Sequence, residues 1–194
     1  MRPVPTAFDL RKQVGTAAET ALAGILTAAG AVVVAHQHLR DAARPDAPGA
    51  AVAHAAAGPL HLPDLSATWP AREPRRLHFE TKAKRPLRKG GWGWDTHAFA
   101  RAVAWSRASG DPVIYAIRDL AAAPLPAPGT PDNPLHWLVA STWRLLHAAT
   151  RVEVEGMNYW AAEEFHPLPV LLGDLCDLAP VPVVWMPDGP PLIL

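Results

Sequence analysis

The sequence predicts an α/β fold, and three observations carry the prediction. A helical apolar period opens the chain, a β-branched run follows it, and two strand-like segments separated by turn residues come before a second helix and strand. That order sets helices against a mixed sheet. With 194 residues, of which 49% are hydrophobic and 8 are Trp, the chain is long enough for one sizeable core and short for two. A single domain over residues 1–194 is expected, with its core at about 6–119 and a C-terminal extension at about 120–194.

The first helix is read from Thr6 to Ala29, where Leu10, Val14, Leu22, Ile25, Leu26 and Ala29 recur at helical spacing and Gly30 supplies a stop. Ala31 to Ala35 reads as a buried strand. Arg40 to Pro59, rich in Ala, Pro, Asp and Gly, has no period and reads as a loop. Leu60 to Thr68 and Leu77 to Lys84 form a hairpin across the turn residues from Trp69-Pro70 to Pro74-Arg75. Lys89 to Trp94 is a glycine-rich loop. Asp95 or Thr96 caps a helix through Ser109, with Phe99, Ala102 and Val103 inward and Gly110-Asp111 ending it. Pro112 to Arg118 is a strand and Ala121 to Pro134 a Pro-rich loop. Beyond it come a strand at His136 to Ala140, a helix at Thr142 to Ala149, a strand at Arg151 to Glu155 and a helix at Leu168 to Leu178.

Composition excludes several classes. Formal net charge is zero, so no overall field draws in nucleic acid or an anionic membrane, and a local patch would be needed. The single Cys176 can form neither an internal disulfide nor a zinc cage. The uncharged stretch from Thr20 to Leu39 is Ala-rich, broken by Gly24 and Gly30, and ends in His36-Gln37-His38, so it reads as helix then strand rather than a membrane span. With no signal-peptide core at the N-terminus, a soluble cytoplasmic protein is expected.

The chemistry concentrates in the second strand of the hairpin. Side chains alternate along a strand, so Leu77, Phe79, Thr81 and Ala83 share one face and His78, Glu80, Lys82 and Lys84 the other. A carboxylate and an ammonium thus project side by side from a well-anchored backbone. Asp64, on the neighbouring strand, adds a second carboxylate within about 5 Å reach. Magnesium takes one or two carboxylates plus water and phosphate oxygen, so the combination suits phosphodiester hydrolysis.

Pro63-Asp64, fifteen residues, then Glu80-Thr81-Lys82 resembles the PD-(D/E)xK, restriction-endonuclease-like superfamily of nucleases. The resemblance covers about residues 6–119. It implies a restriction-endonuclease-like core, with a central mixed sheet between helices, and Mg2+ or Mn2+ held by Asp64, Glu80 and the main chain of Thr81, with Lys82 positioning the attacking water. A further acid often comes from the helix before the hairpin, and Glu19 stands there in an Ala-rich segment where a lone carboxylate is costly to bury. The Gln-Tyr pair of the exonuclease branch is absent, which leaves the substrate class open. The resemblance implies an endonuclease acting on DNA, and because many relatives work as dimers it also implies a homodimer.

Between Arg72 and Arg107 stand ten of the eighteen cations against three acids. Arg75, Arg76, Lys84, Arg85, Arg88, Lys89 and Arg101 are therefore candidate phosphate contacts. Trp92 and Trp94 either stack on bases or anchor their loop. His36-Gln37-His38 could bind a metal, but a strand end fits better. The rival readings are a non-catalytic nucleic-acid-binding or assembly protein on the same fold and an RNA-directed nuclease.

Overall fold

The computed structural model describes residues 6–36, 52–55, 58–70, 74–88, 90–127, 129–176, 183–184 and 192–193. Most of the expected loop at 40–59 lies outside the described residues, as do Arg72, Lys89 and His38.

Helix α1 (Ala7–Ala28) runs where the apolar period places it, and Gly30, at a φ of 86° that glycine alone adopts easily, turns the chain out of it. Strand β1 (Val32–Ala35) follows. Two short strands, β2 (Val52–Ala55) and β3 (Gly58–His61), pair with each other. The hairpin is β4 (Leu65–Trp69) and β5 (Arg75–Lys84), antiparallel, with Leu65 opposite Phe79. Strand β6 (Trp92–Asp95) leads into α2 (Thr96–Ser109), capped by the Asp95 carboxylate, which accepts from the Ala98 N–H, and closed by Gly110. Strand β7 (Val113–Asp119) lies parallel to β5, the return that a helical crossover allows.

Strand β8 (Trp137–Ser141), helix α3 (Thr142–His147), strands β9 (Val152–Val154), β10 (Met157–Trp160) and β11 (His166–Pro167), and helix α4 (Leu168–Cys176) complete the main body, with β12 (Val183–Val184) and β13 (Leu192–Ile193) pairing separately. The central sheet is mixed, ordered β1-β4-β5-β7-β8-β11, and helices cover both faces. On one face Ala18, Leu22 and Leu26 of α1 and Leu168 of α4 pack against Leu65, Leu77, Phe79, Ile114 and Val139. On the other, Phe99, Ala102 and Val103 of α2 pack against Val113, Tyr115 and Ile117. Burying a Leu or Phe side chain contributes about 1.5–3 kcal/mol, so these two layers fix the sheet between them.

Three expectations need correction. The β-branched run at β1 is an edge strand: Val32 and Val34 are exposed, and only Val33 packs on the core. The segment expected to begin a strand at Leu60 divides into β3 and β4, with Asp64 in the break. The end of the glycine-rich segment, from Trp92, belongs to β6, which pairs with β10, a strand the sequence did not suggest. Gly91 and Gly93 let that ladder close: a Cβ on Gly91 would overlap the Trp160 carbonyl, and one on Gly93 would meet the Tyr159 ring at 2.8 Å. No described helix is long and apolar enough to cross a membrane.

Candidate functional site

The alternation along β5 is as expected. Leu77 and Phe79 enter the α1 layer, with Ala83 packed against it, while His78 and Lys84 on the opposite face reach Trp105 on α2 and the Gly93 carbonyl on β6. Glu80 and Lys82 lie between those two. Continuing the β4–β5 register by one residue sets Asp64 opposite Glu80.

The geometry closes around Lys82. Its Nζ donates to Glu80 Oε1 at 2.7 Å and to the Thr81 carbonyl at 3.0 Å, and it stands 3.7 Å from Asp64 Oδ2. Asp64 is almost wholly buried, and its Oδ2 accepts from the Thr81 N–H at 2.7 Å. Both polar groups of the Thr81 main chain are therefore engaged, one by Asp64 and the other by Lys82. Three oxygens from Asp64, Glu80 and Thr81 converge on one cationic nitrogen, and the motif residues the sequence singled out are brought together.

That donor set fits a hard cation. Two carboxylates and a carbonyl match what magnesium accepts while keeping several waters. Among the described residues no three side chains of His, Cys, Asp or Glu could cage a metal by themselves, so such an ion would be held in part by solvent. Glu19 is half-buried on α1, which packs against β5 from the Leu77–Phe79 side.

Similarity to known proteins is confined to shape. Neither a protein-family model nor a curated protein matches the sequence. Among solved structures, the chain is similar to Hjc, a Holliday junction resolvase from the archaeal hyperthermophile Archaeoglobus fulgidus, with a TM-score of 0.48 and 14% identity over 82% of this chain and 95% of that one.

Around the site the electrostatics are set by burial. Desolvation lowers the Lys84 pKa to about 8, the Lys82 charge pushes the same way and Asp95 opposes them. Its Nζ is turned inward, donating to the Gly93 carbonyl at 2.6 Å, and the Tyr115 hydroxyl donates to the same oxygen at 2.7 Å. Burial also lowers His78 to about 4, against the pull of Asp111, so the ring is neutral near pH 7. Tyr115 is pushed well above its ordinary value, first by burial and then by Glu80.

The expected nucleic-acid contacts divide. Arg85, Arg88 and Arg101 are exposed. Arg75 donates to the Asp174 carbonyl and Arg76 pairs with Asp111 at 3.2 Å, both at the far end of β5, where Arg76 is roughly 13 Å along the strand from Glu80. Lys89 lies outside the described residues. For Trp92 and Trp94 the structure decides between stacking on bases and anchoring, in favour of anchoring. They are 3% and 1% exposed, and Trp94 stacks on Tyr115 at 4.1 Å, so neither ring face is open to a base. Their glycine neighbours Gly91 and Gly93, read as part of a glycine-rich loop, serve close packing of strands instead.

The sequence read His36 as a strand end and gave Ser66 and Asp111 no part in the site, yet His36 and Ser66 lie beside Asp64 and connect through His78 to Asp111. Ser66 Oγ is 2.7 Å from His78 Nδ1 and 3.3 Å from His36 Nε2, and Asp111 is 3.5 Å from His78 Nε2. The signal that could have found them is the cross-strand register, which sets Ser66 against both Val34 and His78.

Proposed function

We propose that the chain is a metal-dependent nuclease of the PD-(D/E)xK type that hydrolyses DNA phosphodiester bonds, acting as an endonuclease. The observation that carries this reading is the convergence of Asp64, Glu80 and the Thr81 carbonyl on the Lys82 ammonium. A binding module has no use for two carboxylates on a surface meant to attract phosphate, since like charges would repel it. A structural ion pair would need only one acid for its lysine.

In this reading Asp64, Glu80 and the Thr81 carbonyl hold Mg2+ or Mn2+, which when bound lowers the pKa of water and offsets charge on the phosphate. Lys82 keeps a proton on Nζ and uses it to orient the attacking water or a non-bridging phosphate oxygen. The water oxygen loses a proton to solvent as it forms the new bond to phosphorus, the bond to the leaving sugar oxygen breaks, and that oxygen takes a proton from solvent. The Thr81 N–H, bonded to Asp64 Oδ2, stops the Asp64 carboxylate from rotating away. Glu19 on α1 adds a further carboxylate that acts on the metal through water rather than as a direct ligand. Arg85, Arg88 and Arg101, exposed, contact phosphates of the substrate.

The test is incubation of the full chain with supercoiled plasmid, linear duplex, branched duplex and single-stranded RNA, each with Mg2+ or Mn2+. DNA is nicked, a chelator stops it, and Glu80→Gln abolishes it while Glu19→Gln slows it less. Binding without cleavage at any metal or pH would sink the reading. Cleavage of RNA alone would move it to an RNA-directed enzyme.

A further inference from the structure

Beside the carboxylate pair runs a row of polar side chains that the cleavage chemistry leaves unused: His36, Ser66, His78 and Asp111. His36 follows β1, and continuing the β1–β4 register by one residue carries it opposite Asp64. Its N–H donates to the Asp64 carbonyl at 2.9 Å. Its ring Nδ1 lies 2.9 Å from the Pro63 carbonyl. A carbonyl oxygen only accepts, so Nδ1 carries the proton and donates.

The two peptide groups on either side of the Asp64 α-carbon are therefore tied to one residue, and the Pro63 ring removes a further degree of freedom just upstream. The imidazole is held in turn. Its Nε2 is 3.3 Å from Ser66 Oγ, which is 2.7 Å from His78 Nδ1. His78 is fixed edge-on against Trp105 at 5.3 Å, with Asp111 at its far nitrogen. A phenylalanine would fill the same volume and keep the main-chain bond to the Asp64 carbonyl, but it would lose the ring's bond to the Pro63 carbonyl and its contact with Ser66.

We propose that His36 is a positioning residue for the Asp64 carboxylate, holding the two peptide groups that flank it. The role rests on the nuclease reading, because a carboxylate needs its backbone fixed in this way only if its oxygens must meet a cation at a set place.

The experiment compares the full-length wild type with His36→Phe, His36→Asn and Ser66→Ala. Mn2+ affinity is measured calorimetrically without nucleic acid, and plasmid cleavage is followed across Mn2+ concentration. Phe keeps the ring volume and removes the donor, whereas Asn keeps a short N–H donor. His36→Phe weakens Mn2+ binding by about 10–100-fold, and His36→Asn recovers most of it. Melting temperatures of the two variants stay together, which a purely structural role would not predict. Should His36→Phe not fold, Ser66→Ala carries the test, because it keeps the Pro63 bond but loosens the ring, and a several-fold weakening is expected. A wild type that binds Mn2+ and cleaves, with unchanged affinity in the variants, overturns the positioning role alone. A wild type that neither binds Mn2+ nor cleaves DNA overturns the nuclease reading and this role together.

Discussion

Lys82 holds two relations at once, neutralising Glu80 and bridging to Asp64. Lys82→Ala is expected to lower cleavage by about a thousandfold, the upper range for one electrostatic donor, while the circular dichroism spectrum is unchanged. Loss of the fold instead would mean that the lysine is structural. Lys84 offers a pH test. Its folded pKa is about 8 against 10.5 when free, so between those values the unfolded chain binds more protons. Stability therefore rises with pH across that window, and at lower pH burying the ammonium opposes folding. The urea midpoint of wild type gains on that of Lys84→Met between pH 8 and pH 10.5; parallel curves would contradict the burial of Lys84. Both lysines were legible in the sequence from alternation alone. The inward turn of Lys84 was not, because the Gly93 carbonyl that receives it belongs to a strand the sequence did not suggest.

At the scale of elements, β6 shows why the reading of Lys89 to Trp94 failed. Glycines next to tryptophans read as a loop, because β-propensity scores glycine poorly. Here the glycines admit the neighbouring strand, and the tryptophans fill the space under α2 with Phe99 and Trp160. Gly91→Ala should destabilise the protein by about 1–3 kcal/mol, since it places a Cβ against the Trp160 carbonyl at a φ of +87°. Equilibrium urea denaturation measures it, and a neutral result would mean that the β6–β10 ladder yields. The hairpin and β7 were readable because turn residues bounded apolar runs of the right length. The exposure of β1 was not, because Val32-Val33-Val34 has no alternation to separate an edge strand from a central one.

Across the whole molecule, one buried ion pair ties the long Pro-rich connection to the sheet. Arg118, fully buried at the end of β7, donates to both oxygens of Asp132 at 2.6 and 3.1 Å and to the carbonyls of Asp119, Ala123 and Pro124. Burial would raise the Asp132 pKa, but hydrogen bonds from Arg118 and Trp137 outweigh it and hold the carboxyl below its ordinary value. The strand PVIYAIR was plain in the sequence, but Arg118 gave no sign of its partner fourteen residues away. Arg118→Met, which leaves Asp132 buried without its cation, should cost about 3–5 kcal/mol in thermal or urea unfolding. Adding Asp132→Leu should recover much of that loss, and a double variant as unstable as the single would argue against the pairing.

The lysine seated among the acids has a consequence for the order of events. Counted by formal charge over the three groups in direct contact, Asp64, Glu80 and Lys82 sum to one negative unit, which turns a phosphate away. Loading a divalent ion without displacing the lysine changes that sum to one positive unit, and the same spot becomes attractive to a polyanion. On the proposed reading the metal is thus an electrostatic gate as well as a reagent. The protein would meet its substrate at the site only once charged for the reaction, and would release the backbone again when the ion leaves.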